Sequence, residues 1–352
     1  MQTENVRVAV LGTGQMGSGM IQHLLQKPGI EIVGVYGKRS ERAGTDVGTI
    51  VGLDRELGVK ITNDLDSMLK AAQPHVVLQA TCSKVVQAVN EIKSCLNNGI
   101  DVVSIAEEMA FPAYEAPELA EEIHALALKN HATVVGTGIN PGFVLDLLVI
   151  ALTGVCYDVE SITATRINDL SPYGPSVMET QGVGMTREAF EAGVKDGSVV
   201  GHFGFPESIS MIAKSLGWQI DRIEQERVPI ISTVVRETEF VKIKPGLTAG
   251  CKHSAVGYMD GKPLITLIHP QQVHPHLENV KTGDYIEIKG TPDINFSSGP
   301  EIPGGIGTIA LAVNMIPRVI NSSPGLKSMA DLPVPAAMMG DVRRMVATGT
   351  RS

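Results

Sequence analysis

Three glycines near the N-terminus have the spacing Gly-x-Gly-x-x-Gly that is typical of dinucleotide-binding loops. The segment follows the apolar run 8–11, precedes a stretch with helical spacing, and consists of Gly12, Thr13, Gly14, Gln15, Met16 and Gly17. The first glycine permits a tight turn, the second lets the backbone approach a pyrophosphate, and the third allows close packing of the helix on the strand. The anion then lies at the positive end of the helix. We therefore expect a bound dinucleotide here.

The residues after the second predicted strand bear on the choice between NAD(H) and NADP(H). That strand ends at Tyr36, and the next residues are Gly37, Lys38, Arg39 and Ser40. None of them is the acid that usually binds the ribose hydroxyls of NAD, and the two cations with the serine favour the 2′-phosphate of NADP. Because Glu41 and Arg42 follow directly, use of NAD(H) as well stays open. An ordinary solvated loop is the other interpretation.

Further polar groups follow other predicted strands, at the carboxyl ends where a parallel sheet binds its ligands. The segments are 104–112, which contains Glu107 and Glu108, and 136–143, which contains Asn140. A third polar segment lies in the predicted second domain, at 166–175, and contains Arg166, Asn168 and Tyr173. Side chains alternate along an extended segment, so two adjacent acids provide one carboxylate that points into a cleft and one that points away. An acid pair on a solvated loop is the alternative.

These segments, taken with the glycine loop, resemble the family of 2,4-diaminopentanoate dehydrogenases and native amine dehydrogenases, within the dihydrodipicolinate-reductase-like superfamily. The resemblance covers nearly the whole chain. Its specific parts are the acid pair, Gly-Thr-Gly-x-Asn-Pro-Gly at 136–142, and Arg-x-Asn-Asp-x-Ser-Pro-Tyr-Gly at 166–174. The segment that begins at Gly304 also resembles the returning C-terminal helix of that superfamily.

The resemblance implies NAD(P)-dependent oxidative deamination of 2,4-diaminopentanoate to 2-amino-4-oxopentanoate and ammonia, reversible as reductive amination. Hydride leaves the carbon that bears the amine, and water then attacks the imine. The hydride can leave only when the nitrogen lone pair is free, so a base must first deprotonate the ammonium. A carboxylate with a raised pKa suits this step.

The resemblance also assigns roles to individual residues. Glu108 is the expected catalytic residue, with Glu107 second. The expected cofactor-binding residues are the six of the glycine loop together with Lys38, Arg39, Ser40, Thr81 and Asn140. The expected substrate residues are Asn140, Arg166, Asn168, Tyr173 and His253. Alternatives stay open for three of them: Asn140 as a turn residue, Arg166 as an ion pair between domains, and His253 as a locally satisfied histidine.

Two other functions compete with the deamination of a diamino acid. The first is an amine dehydrogenase that acts on simple ketones or amines without a carboxylate. The second is a catalytically silent NAD(P)-binding sensor. A sensor needs only the glycine loop, so the intact acid pair argues against it.

Cysteine and histidine spacing gives no sign of a metal site. The four cysteines, Cys82, Cys95, Cys156 and Cys251, form no Cys-x-x-Cys pair. The histidines at 269, 274 and 276, taken without a cysteine or carboxylate ligand beside them, match no common ligand spacing. We expect no metal.

Alternation of short apolar runs with helical patterns predicts an α/β protein. We expect a doubly wound parallel Rossmann sheet over 1–150, with strands near 7–11, 31–36, 76–80, 101–105 and 133–136. Residues 151–303 predict an α+β domain with a mixed, largely antiparallel sheet and an Asp260-Gly261 hairpin. The resemblance implies that this domain binds substrate and forms the dimer contacts. Residues 304–352 are expected to return to the Rossmann domain as a helix and tail.

Composition limits the partners. The 352 residues are 43% hydrophobic and 19% charged, enough for two cored domains. The net charge of −9, without a basic run, argues against nucleic acid or an anionic membrane as a partner. No apolar stretch reaches the ~18 residues of a membrane span, and no secretory signal is visible. We expect a cytoplasmic homodimer that acts on a small amine.

Overall fold

The computed structural model describes residues 4–347. The chain forms two compact units. Unit 1 comprises the residues up to Phe143 together with those from Pro303 onward, and unit 2 is Val144–Ile302. Within the described residues no helix combines the length and apolar character that a bilayer crossing requires.

The strands of both units, in chain order, are β1 (Val6–Leu11), β2 (Ile30–Tyr36), β3 (Ile61–Thr62), β4 (Val76–Gln79), β5 (Asp101–Ser104), β6 (Thr133–Gly136), β7 (Asp158–Asp169), β8 (Arg222–Ile231), β9 (Arg236–Glu237), β10 (Lys242–Ile243), β11 (Thr248–Met259), β12 (Lys262–Gln272), β13 (Gly283–Thr291), β14 (Ile294–Ser298) and β15 (Gly325–Lys327). The α-helices are α1 (Gln15–Leu24), α2 (Val47–Ile50), α3 (Leu65–Ala72), α4 (Val85–Asn97), α5 (Pro117–Lys129), α6 (Leu147–Thr153), α7 (Pro175–Thr180), α8 (Arg187–Asp196), α9 (Phe205–Leu216), α10 (Gly304–Asn314) and α11 (Ile316–Ile320).

Unit 1 is built on a parallel sheet with strand order β15-β6-β5-β4-β1-β2-β3. The central strands β4, β5 and β6 are buried along their whole length, as expected for valine-rich strands covered on both faces. The order reverses at β1, so the ends of β1 and β4 flank the crevice where such sheets bind ligands. The C-terminal segment belongs to this unit, because β15 pairs with β6 and α10 packs against α1 at Gly19.

Unit 2 contains a six-stranded sheet with order β14-β13-β7-β12-β11-β8. All its pairs are antiparallel except β12 with β7. The long hairpin β11–β12 turns at Asp260 and Gly261, both at positive φ (+51° and +74°), as a type I′ turn requires. The predicted fold class, a parallel Rossmann-type sheet followed by a mixed and largely antiparallel sheet, is confirmed.

Three details of the predicted elements are wrong. The apolar run over 228–243 predicts one long strand, but the strand ends at Ile231 and two-residue strands β9 and β10 follow, with Arg236 of β9 buried. The helical spacing over 307–319 predicts one helix, but the structure has two, since Pro317 has no N–H to continue α10 and lies in the first turn of α11. The short edge strands β3 and β15 were not predicted at all.

Candidate active site

The glycine loop connects β1 to α1 with little free space around two of its glycines. Gly12 has φ +116°, and a Cβ there would lie 2.4 Å from the carbonyl oxygen of Ala80. A Cβ on Gly17 would lie 2.0 Å from the carbonyl oxygen of Gly12. Gly12 therefore allows the turn and Gly17 allows α1 to pack against it, as expected.

The start of α1 fits an anion. Gly14 is the N-cap and gives the helix no side-chain cap, and a Cβ on Gly14 would have no atom within 4 Å. The first N–H groups of α1 therefore face open space at the positive end of the helix. A pyrophosphate can approach this backbone directly. Gln15 and Met16 begin the helix, and Thr13 is buried beside Gly37.

The three basic residues after β2 have different surroundings. Lys38 makes an ion pair with Glu91 of α4, with 2.9 Å between Nζ and Oε1. Arg42 donates to the carbonyl oxygen of Thr13 in the glycine loop. Arg39 is exposed, and Ser40 begins an exposed 3-10 turn. Arg39 therefore presents its guanidinium to solvent.

The acid pair lies in a 3-10 turn, Glu107–Ala110, just after β5. Glu108 Oε2 accepts a hydrogen bond from the Val85 N–H at the start of α4, at 2.8 Å. This bond fixes the position of the carboxylate at the N-terminus of α4. Oε1 of Glu108 has no hydrogen-bond partner within residues 4–347, so it can accept a proton or a donor from a ligand.

Glu107 has a different environment. Burial raises the pKa of its carboxyl group, and the charge of Glu108 raises it further, although a hydrogen bond from its own backbone and one from the Ser83 hydroxyl lower it. The chain around Ser83, directly after β4, therefore contacts both acids, because the Ser83 carbonyl also accepts from the Glu108 N–H. Both acids lie in a 3-10 turn, so the alternation expected of an extended segment does not apply, and the raised pKa belongs to Glu107, the second candidate.

Asn140 lies in a tight loop after β6. The Ile139 N–H donates to the Thr308 hydroxyl of α10 at 3.1 Å, so the returning C-terminal segment fixes this loop. A Cβ on Gly142, at φ +124°, would lie 2.4 Å from the Gly138 nitrogen. The glycines therefore make the loop compact and rigid, and Asn140 is partly exposed on it.

Unit 2 carries a row of polar side chains across its sheet. Strand register places Asp284 of β13 opposite Arg166 of β7. His253 of β11 lies between His269 of β12 and Arg227 of β8. Arg166 is 2% exposed, and its Nη1 lies 2.6 Å from Asp284 Oδ1 while Nη2 donates to the Ile302 carbonyl at 2.5 Å. Both terminal nitrogens are engaged inside unit 2. Arg166 thus forms an ion pair, but within one unit and not between domains, which was the alternative to its expected role as a substrate residue.

Asn168 and two histidines form a cluster beside this arginine. His269 Nε2 lies 2.7 Å from Asn168 Oδ1, and the His202 ring lies 4.8 Å from the His269 ring. Burial lowers the pKa of both histidines well below the usual value, and the charge of Arg166 lowers it further. The Nε2 atom of His202 is enclosed and makes no hydrogen bond within the described chain. These neutral imidazoles can therefore offer hydrogen bonds without charge.

His253 is held by its neighbours on both sides. Its Nδ1 accepts from the His202 N–H at 3.0 Å, and its Nε2 lies 3.0 Å from Gln225 Oε1. Burial lowers the pKa of His253 to about 3, helped by the charge of Arg227. These contacts agree with the alternative interpretation, in which neighbouring residues satisfy the hydrogen bonds of His253. His253 supports the position of His202, which the sequence analysis missed because a single histidine in a glycine-containing loop carries no recognisable signal.

Tyr173 lies at the edge of this group. Burial raises the pKa of its hydroxyl, the positive charge of Arg166 lowers it, and the charges of Glu301 and Asp169 raise it. Its ring packs against an apolar cluster that includes Leu170. The hydroxyl thus stays protonated at neutral pH and can donate a hydrogen bond.

One argument against a metal site was wrong. Folding brings Asp169 to His274 and His276, with ligand atoms within 4.8 Å of one another, so a carboxylate is nearby after all. However, His274 Nδ1 lies 2.9 Å from the Ser171 hydroxyl and Nε2 lies 2.9 Å from the Glu237 carbonyl. Both ring nitrogens are thus engaged in local hydrogen bonds. His269 lies apart from this group, bound to Asn168.

Comparison with known proteins identifies the family. A model described as the C-terminal domain of 2,4-diaminopentanoate dehydrogenase matches residues 143–348, and one described as the N-terminus of dihydrodipicolinate reductase matches residues 6–106. The 2,4-diaminopentanoate dehydrogenase of Acetoanaerobium sticklandii is 47% identical over 346 residues, which cover 98% of each chain. The chain belongs to the 2,4-diaminopentanoate dehydrogenase family. The resemblance inferred from its motifs is confirmed.

Amine dehydrogenases are more distant relatives of this chain. The enzyme of Streptomyces virginiae is 25% identical over 362 residues, covering 95% of this chain and 98% of the other. The solved amine dehydrogenase of Mycobacterium smegmatis has a TM-score of 0.83 at 26% identity and covers 95% of this chain and 98% of its own. The chain is thus a member of a family of dehydrogenases that act on amines.

Proposed function

We propose that this chain oxidises 2,4-diaminopentanoate to 2-amino-4-oxopentanoate and ammonia with NADP+ or NAD+, and catalyses the reverse reductive amination. The observation that carries the proposal is the 47% identity to a 2,4-diaminopentanoate dehydrogenase over 98% of both chains. The electrons of the C–H bond pass to the nicotinamide, and water supplies the ketone oxygen as ammonia leaves. A nicotinamide dinucleotide supplies the hydride acceptor when it is bound.

The residues of unit 1 fit this cofactor. The uncapped start of α1 would hold the pyrophosphate, and the open space at Gly14 allows its approach. Thr81 and Asn140 follow β4 and β6 at the carboxyl edge of the same sheet, where the nicotinamide half is expected. Arg39 and Ser40 remain the proposed contacts for the adenosine ribose or its phosphate.

Glu108 is the proposed general base. Its bond to the Val85 N–H fixes the carboxylate through Oε2, so Oε1 can take a proton from the substrate ammonium. Removal of that proton frees the nitrogen lone pair, which must stabilise the developing positive charge as hydride leaves. Glu107, with its raised pKa, is the second candidate.

Unit 2 is proposed to recognise the substrate. Asn168, His202, His269 and Tyr173 are neutral hydrogen-bonding groups gathered beside Arg166, and His202 Nε2 has its hydrogen-bonding capacity unused within residues 4–347. Neutral donors and acceptors suit a zwitterionic diamino acid, because they orient both its ammonium and its carboxylate groups without repelling either. His253 acts by positioning His202.

Analysis of the products of a purified reaction tests this function. We expect one ammonia and one 2-amino-4-oxopentanoate for each nicotinamide reduced. A catalytically silent sensor would bind the cofactor and release no ammonia. Reduction of the cofactor without ammonia release would contradict deamination as well.

NADP(H) is proposed to serve at least as well as NAD(H), because the loop after β2 lacks an acid and exposes Arg39. We expect Arg39→Ala to raise the KM for NADP+ by about tenfold or more, the size of a lost charge-assisted hydrogen bond, with little effect on NAD+. Steady-state kinetics with both cofactors measures this. The exposed Arg187→Ala, at the start of α8, is the matched control. An equal loss for both cofactors would remove Arg39 from the phosphate site.

A homodimer through unit 2 is also proposed. The sheet face opposite the buried row carries partly exposed apolar residues, including Ile167, Val256 and Ile268. Sedimentation equilibrium that gives the mass of a single chain at micromolar concentration would contradict this proposal.

A further inference from the structure

A buried acid of α4 lies at the carboxyl edge of the unit 1 sheet. The Glu91 side chain is only 7% exposed, and its Oε1 lies 2.9 Å from the Lys38 ammonium nitrogen. Its other oxygen accepts hydrogen bonds from the Thr81 hydroxyl and from Gln79 Nε2, the latter at 3.1 Å. A buried carboxylate is costly unless it is paired and hydrogen-bonded, and these partners offset that cost and fix its position.

The same contact determines what Lys38 can do. Partial burial lowers the pKa of Lys38, but the hydrogen bond and the charge of Glu91 outweigh this and leave the pKa raised. Lys38 is therefore charged, and its charge is neutralised by Glu91. Arg42 is bound to the Thr13 carbonyl. Arg39 makes no side-chain hydrogen bond or ion pair in the described part of the chain, so it is the cation of this loop that is free for a ligand.

We propose that Glu91 is a specificity-determining residue that limits the preference for NADP over NAD by binding Lys38. The proposal rests on the nicotinamide-dependent function proposed above. A 2′-phosphate carries about two negative charges, so its binding depends on the net charge of this loop, whereas a ribose hydroxyl is nearly insensitive to it. With Glu91 present, the Lys38–Glu91 pair contributes no net charge, and Arg39 alone attracts the phosphate.

Binding of NADP+ and NAD+ to four variants, measured by titration calorimetry, tests the proposal. Glu91→Gln keeps the shape of the side chain and can still accept from Thr81 and Gln79, but it releases Lys38. We expect the Kd for NADP+ to fall about tenfold and the Kd for NAD+ to change less than about twofold. Lys38→Met alone leaves the charge of Glu91 uncompensated, so the Kd for NADP+ should rise about tenfold while the Kd for NAD+ changes less than about twofold. In the Glu91→Gln background, Lys38→Met should remove the gain, as expected for coupled residues.

Glu122→Gln is the matched control, because Glu122 makes an exposed helix-surface pair with Lys93. It should leave both constants unchanged. The proposal is overturned if Glu91→Gln leaves the ratio unchanged or weakens both cofactors equally. If Glu91→Gln does not fold, the half-exposed Lys38→Met still decides, since a ratio of the two constants within about twofold of the wild-type ratio would show that the charge of the Lys38–Glu91 pair has no effect on the phosphate. Wild-type protein that binds both cofactors but oxidises no amine would refute the proposed function and leave this proposal standing.

Discussion

Glu108→Gln is expected to lower kcat for amine oxidation by about two to four orders of magnitude, the usual contribution of a general base. The amide keeps the size of the side chain and can still accept from the Val85 N–H through its oxygen, so the turn at 107–110 should keep its position. It cannot take a proton from the substrate ammonium. The Kd for the cofactor should therefore remain near the wild-type value while turnover is lost.

Glu107→Gln is the paired control, since it changes the neighbouring carboxylate by the same chemistry. We expect it to alter the pH profile of kcat, because the raised pKa of Glu107 no longer contributes, but to keep most of the turnover. If Glu107→Gln is the inactive variant and Glu108→Gln is active, the roles of the two acids are reversed. If both variants are active, the base lies elsewhere.

Arg166→Met is expected to destabilise the protein by about 3–5 kcal/mol, the usual cost of leaving one partner of a buried ion pair uncompensated. Asp284 would lose the guanidinium that lies 2.6 Å from its Oδ1, although the Ile302 N–H still donates to its Oδ2. Denaturant unfolding that follows unit 2 measures the loss. Lys289→Met, which breaks an exposed pair with Asp293, should change stability little.

A second substitution separates stability from substrate binding. Asp284→Asn removes the buried charge, so the double variant Arg166→Met/Asp284→Asn should recover part of the stability lost in Arg166→Met. Normal stability of Arg166→Met, together with a loss of activity confined to the diamino acid, would instead mean that Arg166 binds the substrate carboxylate as the sequence suggested.

Local patterns predicted elements in both units. The glycine loop, the valine-rich strands and the Asp260-Gly261 hairpin each have a signal within a few residues, since turn geometry and burial on both faces act at short range. The edge strands β3 and β15 have only two or three residues, which is too short for a periodic signal. Their pairing comes from the sheet beside them.

The partners of the site residues could not be predicted, because they depend on strand order and register. Arg166 meets Asp284 only because β7 pairs with β13 in one particular antiparallel register. Lys38 meets Glu91 because the loop after β2 and the helix after β4 reach the same edge of the sheet, on either side of β1. The sequence therefore indicated which residues carry chemistry, and the fold determined which of their charges were already neutralised.

Comparison of kcat/KM for 2,4-diaminopentanoate and for butane-1,3-diamine tests the central claim most directly. The two amines differ only in the carboxylate, so the ratio measures whether the site was built to bind it. We expect kcat/KM to be at least about a hundredfold higher for the diamino acid. When the smaller amine is bound, the polar groups that bind the carboxylate are left without a partner, and this lowers kcat/KM strongly. A preference for the carboxylate-free amine would contradict the account and indicate an amine dehydrogenase.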